Sequence, residues 1–351
     1  MIPATDPAWT ALARYPLRLP CRLGPLGHGL INRTLLVEEE GGGRHVLQRV
    51  NPIFAPEVHL DIHRVTEHLA ERGLTTPRLQ PTRTGALWVD LGEQGRWRLL
   101  SFVPGLTVEQ TADPRLLRGA GELVGSFHRA TAELGGPFHA CRPGVHDTAA
   151  HLQRLAAALT AGAAHRLYTA IHPVAEAIRE LARELPPLPT GPVRLVHGDL
   201  KISNLLFAPD GSGRGVALVD LDTLGPGTLP VELGDAFRSW CNPAGEESLA
   251  ARFDCALFAA ALQGYARGAG DLLTAAEVDA LVPGIWTIAL ELAARFCRDA
   301  LEERYFGWDP ARFPSAADHN LRRAQSLLRL ARSIREQLPE ATRLARSLRH
   351  G

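Results

Sequence analysis

At 351 residues, with 45% hydrophobic and 22% charged side chains, the chain has the composition of a folded protein with one large core or two lobes. Its 38 Lys and Arg balance its 38 Asp and Glu, so no bulk charge draws it to nucleic acid or to an anionic membrane. Five scattered cysteines, Cys21, Cys141, Cys241, Cys255 and Cys297, form no C-x-x-C pair, and neither a signal-like stretch nor an uninterrupted bilayer-length apolar run is read, so a cytoplasmic protein is expected.

Residues 22–50 read as extended. The runs 33–37 and 45–50 flank Gly41-Gly42-Gly43 and predict a hairpin, entered past Gly24, Gly27 and Gly29. Over residues 56–72, Val58, Ile62, Val65 and Leu69 recur at helical spacing before Gly73, which predicts one helix. Residues 86–90 and 97–102 predict two more strands, closed by Pro104-Gly105. The lobe boundary is placed there, between residues 1–103 and 104–351. Beyond it, helical periodicity is read over 116–132 and 148–167.

A proline-rich connector at 186–192 leads to a short strand at 193–197. Residues 204–207 and 215–220 predict two strands around the turn Pro209-Asp210-Gly211. From residue 232 onward the pattern is helical, with breaks expected at Pro243, Gly268, Pro283, Pro310 and Pro339. A small sheet with one helix, then a mostly helical lobe holding a hairpin, is the order of kinase-like folds.

Between the strand and the hairpin lies His197-Gly198-Asp199-Leu200-Lys201-Ile202-Ser203-Asn204. Its His-x-Asp-(four residues)-Asn spacing is that of a phosphoryl-transfer loop, in which the aspartate accepts the acceptor's proton and the asparagine meets metal. Asp199 is therefore the candidate base and Asn204 a candidate metal ligand. Magnesium needs an anionic ligand as well, and Asp220 ends an apolar strand shortly afterwards. Lys201, the only lysine in the chain, is placed to approach the transferred group. His197 is read as structural. Asp222 is open between a metal or substrate contact and a turn carboxylate facing solvent.

The run HGDLKISNLLF followed by ALVDLD resembles the aminoglycoside phosphotransferase and choline kinase superfamily. GHGLINRTLLV, HVLQRVNPIF, ELGDAFRS, RFCRDALEERYF and HNLRRAQSLLRL resemble its N-acetylhexosamine 1-kinase branch, and the similarity spans nearly the whole chain. The resemblance implies an α+β, bilobal protein-kinase-like fold, with a nucleotide-binding small lobe and a catalytic, acceptor-binding large lobe. ATP and Mg2+ are the implied cofactors. The implied partner is a small-molecule hydroxyl acceptor such as a sugar, with the anomeric hydroxyl of an N-acetylhexosamine foremost. By position, Asp199 would be the base, with Asn204 and Asp220 on the metal. Gly27, His28, Gly29 and Asn32 would cover the phosphates, while Ser101, Phe102 and Val103 would meet adenine through their backbone.

One departure stands out. Kinases carry a small-lobe lysine paired with a helix glutamate, and this chain has no lysine there. The role passes to Arg49, to Gln48 or to neither, with Glu67 open between partner and surface residue. Arg295 and Asp299, one helical turn apart, share a face and enter an acceptor pocket or form a surface ion pair; the resemblance favours Arg295 in substrate binding. A choline, homoserine or aminoglycoside kinase is an alternative, as is a nucleotide-binding regulator without catalysis. A protein kinase is set aside, because no Ala-Pro-Glu segment follows Asp220.

Overall fold

A computed structural model describes residues 2–27, 31–139 and 144–349. The chain opens with α1 (Pro7–Leu12), whose first turn is capped by the Asp6 carboxylate accepting from the Ala8 N–H at 2.9 Å. Five antiparallel strands follow: β1 (Cys21–Pro25), β2 (Arg33–Glu39), β3 (Arg44–Val50), β4 (Val89–Asp90) and β5 (Arg96–Ser101), in the order β1-β2-β3-β5-β4. Strand alternation sorts their side chains. Leu35, Val37, Leu47, Trp97 and Leu99 point outward, where Ala8, Ala11, Leu12 and Tyr15 cover them. Val50 and Leu100 point inward to α2 (Val58–Glu71), whose Val58, Ile62, Val65 and Leu69 form the expected buried stripe.

The strand expected at residues 86–90 shrinks to β4. Thr82 explains this: its backbone N–H donates to the Ala86 carbonyl at 2.8 Å and its hydroxyl accepts from the Ala86 N–H at 3.0 Å. A local turn thus consumes groups that a ladder would use.

The connection to the helical lobe is tied at both ends. Ser101 exchanges hydrogen bonds with the Arg78 backbone, and Leu106 and Phe207 exchange two of 2.9 Å. The lobe contains α3 (Pro114–Thr131), α4 (Thr148–Ala161) and α5 (Tyr168–Ala182). Next come β6 (Arg194–Val196), a 3-10 turn at Ile202–Asn204, and the hairpin β7 (Leu205–Phe207) and β8 (Gly215–Leu218). A second 3-10 turn, Leu221–Thr223, leads to β9 (Gly225–Gly227), which pairs with β6. Five helices close the chain: α6 (Leu229–Trp240), α7 (Cys255–Ala269), α8 (Ala275–Glu302), α9 (Ala316–Glu336) and α10 (Leu338–Arg346).

One expected break is corrected, since Pro283 lies inside α8, whereas α7 does end at Ala269, one residue past Gly268. A β-carbon on Gly268 would sit 2.2 Å from the Glu122 carbonyl of α3, so this glycine also permits close helix packing. At Pro283 the ~3 kcal/mol cost of an interior proline is outweighed by burial along nearly the whole of α8. By length and composition α8 is also apolar enough to cross a membrane, contrary to the sequence reading. Yet 83% of its apolar window is buried inside the protein, as in a core helix. One continuous core joins Val50, Phe54 and Leu100 of the small lobe to Leu117, Phe207 and Phe237 of the large one.

Candidate active site

The loop after β6 is held from behind by buried groups. The Glu232 carboxylate of α6, 3% exposed, accepts the backbone N–H of His197 at 2.7 Å and of Gly198 at 3.1 Å. The Trp240 indole donates to the Leu200 carbonyl at 2.7 Å, and the Thr223 hydroxyl donates to the His197 carbonyl at 2.7 Å. His197 is fully buried, with Nε2 2.9 Å from the Val219 carbonyl, in line with its structural reading. Gly198 has φ +80°, and a β-carbon there would sit 2.6 Å from the Thr223 carbonyl. The position is therefore closed to other residues.

This scaffold gathers the sequence-predicted groups. The Asp199 Oδ2 lies 3.1 Å from the Lys201 Nζ and 3.0 Å from the Asn204 Nδ2. The same Asn204 amide donates to the Asp199 carbonyl at 2.8 Å. With its nitrogen so used, the Asn204 amide keeps its oxygen as the atom that could meet a cation. Asp220 has left-handed backbone (φ 63°, ψ 55°) at the head of the Leu221–Thr223 turn. Burial, with Asp222 and Asp199 nearby, raises its carboxyl above the ordinary value. Burial alone would lower the Lys201 ammonium, but the charges of Asp199 and Asp220 hold it above its ordinary value. The hard oxygen donors Asn204 and Asp220, next to Asp199, suit a magnesium-type cation and not a soft metal.

The small-lobe face brings corrections. Arg49 shares the outer face with Trp97, its partner across the ladder; it is exposed, with Nη2 3.4 Å from the Glu93 carbonyl. It does not point towards the catalytic loop. Gln48 does face inward, opposite Arg98, and its amide bridges the Thr34 hydroxyl at 3.1 Å and the Arg98 Nε at 2.9 Å. Glu67 is engaged by Arg78, through a bond of 2.9 Å and a second, shorter one, so it is a surface pair rather than a partner for an inward cation.

Asp222 lines no open pocket. It is 2% exposed, and both oxygens are taken by Arg98 (2.5 and 2.8 Å) and by Asn32 Nδ2 (2.6 Å). Burial would raise its carboxyl, but the Arg98 charge and hydrogen bonds hold it below its ordinary value. Asn32 also accepts the Asn51 N–H at 2.9 Å. Gly27 has φ +72° with open space around it. His28 and Gly29 lie outside the described residues. Among the described residues no hydrogen bond engages the backbone of Phe102 or Val103, and Ser101 is committed to Arg78. The Arg44 guanidinium lies 4.2 Å from the Phe102 ring centroid.

Arg295 and Asp299, expected to share a face towards an acceptor, part company. Asp299, fully buried, accepts the N–H groups of Arg304, Tyr305 and Phe306 and the Asn320 amide; it shapes the loop after α8 and lines nothing. Arg295 lies 5.7 and 5.6 Å from the ring centroids of Tyr305 and Phe306, with Glu291 at 4.0 Å. Glu291 also meets His146 Nδ1 at 3.0 Å and the Thr148 hydroxyl at 2.6 Å. Asp235 is bound by Arg238 at 2.6 Å, and Arg238 by Glu246 at 2.9 Å. Burial would raise the Asp235 carboxyl, but Arg238, His146 and Arg295 together hold it low. Arg238 in turn feels Asp199, so a band of opposed charges runs from the catalytic loop towards Arg295.

Sequence reading missed Glu232, Arg98, Asp235 and Glu291. The available signal was a charge inside an otherwise apolar run, as for Arg98 between Trp97 and Leu99-Leu100, and for Glu232 in Leu229-Pro230-Val231-Glu232-Leu233.

Comparison with solved structures agrees with this geometry at the level of the fold. A microcompartment-associated aminopropanol kinase superposes with a TM-score of 0.64 at 20% identity, covering 96% of this chain and 98% of its own. An amicoumacin kinase solved with AMP-PNP, Ca2+ and amicoumacin gives 0.63 at 15%, covering 93% of each chain. A choline kinase from Cryptosporidium parvum Iowa II gives 0.58 at 11%, covering 97% and 98%. At the sequence level, the model of the phosphotransferase enzyme family matches residues 22–270, from β1 through the catalytic loop to the end of α7. With a kinase-like fold whose loop sets Asp199 beside Lys201 and Asn204, the chain is a phosphotransferase with a hydroxyl acceptor and belongs to the phosphotransferase enzyme family.

Proposed function

We propose that this chain is an ATP- and magnesium-dependent kinase of a small neutral polyhydroxyl acceptor, with the anomeric hydroxyl of an N-acetylhexosamine as the foremost candidate. The observation that carries the kinase reading is the convergence of Asp199, Lys201, Asn204 and Asp220 at one end of the lobe interface. In this reading the acceptor hydroxyl lies against Asp199, which takes its proton as the oxygen bonds to the γ-phosphorus and the bond to the ADP oxygen breaks. Lys201 supplies positive charge to the transferring group, and its contact with Asp199 at 3.1 Å holds the two side chains side by side. Asn204 and Asp220 would hold the cation, which when bound neutralises phosphate charge. The unpaired backbone of Phe102 and Val103 is suited to adenine.

The acceptor class is supported by charge balance. The groups beyond Asp199 are opposed pairs, Asp235 with Arg238, and Glu291 with His146 and Arg295. Because these charges are balanced, the region lacks the surplus negative charge that a cationic amino alcohol or aminoglycoside calls for. The resemblance to N-acetylhexosamine 1-kinases points the same way.

A mass-shift screen over sugars, amino sugars, amino alcohols and choline tests this, with Asp199→Asn as the inactive control, expected ~100-fold or more below wild type. The expected product is an acid-labile anomeric monophosphate of an N-acetylhexosamine. Turnover confined to choline or aminopropanol would overturn the sugar assignment.

A further inference from the structure

The small lobe has no lysine, and its buried cation is engaged by a carboxylate of the other lobe. Arg98 on β5 is 1% exposed and crosses the lobe interface to grip Asp222 with both Nη atoms. Its Nε is held by Gln48 on β3, which is held in turn by Thr34 on β2. Asn32, at the entry to β2, adds a third bond to Asp222. Arg98 and Asn32 thus meet on one carboxylate of the other lobe, with Gln48 and Thr34 bracing Arg98 from the two neighbouring strands.

That carboxylate sits two residues after Asp220, in the 3-10 turn that Asp220 heads. The turn is tied to the catalytic loop on its far side by Thr223 and the His197 carbonyl. Asp220 is therefore suspended between a bond to the catalytic loop and a clamp to the small lobe. The Arg98 charge is spent on Asp222 rather than left for phosphate. His59 of α2, fully buried and stacked on Trp88 with ring centroids 4.9 Å apart, is kept uncharged by burial and by the Arg98 cation, its pKa lowered to about 4. Among the described residues, Arg98 is the one cation that forms an ion pair with Asp222.

We propose that Arg98 and Asp222 form a positioning pair that couples the seating of the small lobe to the placement of Asp220. Assembly of the metal-nucleotide site then depends on this contact, whereas nucleotide binding without metal does not. The inference rests on the magnesium-ATP reading above, but on no assumption about the acceptor.

The test is calorimetric titration of a non-hydrolysable ATP analogue, with magnesium and with EDTA, on wild type, Arg98→Met, Arg98→Lys, Asp222→Asn and the double variant Arg98→Met/Asp222→Asn. Arg98→Met is expected to weaken binding with magnesium ~10-fold or more, with binding in EDTA within ~2-fold. Asp222→Asn should match it, the double variant should cost no more than the worse single one, and Arg98→Lys should recover part of the loss because it keeps charge but not the fork. Circular dichroism checks that each variant is folded. Should Arg98→Met fail to fold, Asn32→Ala, which deletes one bond to Asp222 and one to the Asn51 N–H, is expected to show the same magnesium-selective loss at ~3-fold. Equal loss with and without magnesium would make Arg98 a phosphate contact or a general support, and additive single effects or unchanged binding would make the pair inert; each overturns the proposal. Wild-type binding indifferent to magnesium would instead sink the metal reading itself, and the inference with it.

Discussion

Replacing Glu232 by glutamine should loosen the catalytic loop without emptying the core. The native carboxylate accepts two backbone N–H groups, one at each oxygen, at 2.7 and 3.1 Å, with 3% of the residue exposed. An amide offers one oxygen only; keeping the shorter bond to His197 turns its NH2 towards the Gly198 N–H, donor against donor. A hydrogen bond to a charged group contributes about 1.5–3 kcal/mol. At 1.4 kcal/mol per factor of ten, its loss speeds local opening by ~10- to 100-fold. Hydrogen exchange followed by mass spectrometry on the peptide around residues 195–204 reads that change directly. Peptides of β1, β2 and β3 serve as internal references. Exchange of this peptide within ~2-fold of wild type, or acceleration spread equally over the small lobe, would refute the claim that Glu232 anchors this loop in particular.

Arg49→Ala should leave the KM for ATP within ~2-fold, because the side chain lies on the outer face against the Glu93 carbonyl; a 10-fold rise would return it to the phosphates. Glu277 carries a pH signature. Burial would raise its carboxyl, but the Arg194 hydrogen bond and the Thr274 capping bonds hold it below 4.5 in the folded protein. The unfolded chain therefore takes up this proton first, and the stabilisation is complete above the unfolded value and lost as pH falls through the lower folded one. Glu277→Gln should cost ~1–2 kcal/mol at neutral pH and progressively less in acid. Urea unfolding curves that stay a constant distance apart from pH 7 to pH 3 would contradict this.

The catalytic loop was legible because its chemistry is local: base, cation and amide ligand fall within six residues, and Asp220 follows one hairpin later. The pairing of Arg98 with Asp222 was not, since 124 positions separate them and Arg98 belongs to no short pattern. Alternation alone left Gln48 and Arg49 undecided. The pairing of Gln48 with Arg98 and of Arg49 with Trp97 settles which one faces the interface. β9 escaped notice for another reason: Gly225-Pro226-Gly227 has little strand propensity and is extended only because β6 lies beside it. Pro283 misled because a rule for isolated helices was applied to one held by burial. Asp299 had the right spacing to accompany Arg295, but spacing says nothing about the three backbone N–H groups of the following loop that claim its oxygens.

Lys201 gives the molecule a property useful at the bench. It carries the chain's single ε-amino group, and that group lies 3.1 Å from Asp199 with 43% of its side chain accessible. An amine-selective reagent thus has one lysine to find, and it is beside Asp199. Reductive methylation with an isotopically enriched carbon would place a single dimethyl-lysine reporter there, with a resonance distinct from that of any labelled α-amine, and it would register nucleotide and acceptor as each arrives. Protection from an acylating probe would measure occupancy of the site in crude extracts, before any product has been identified.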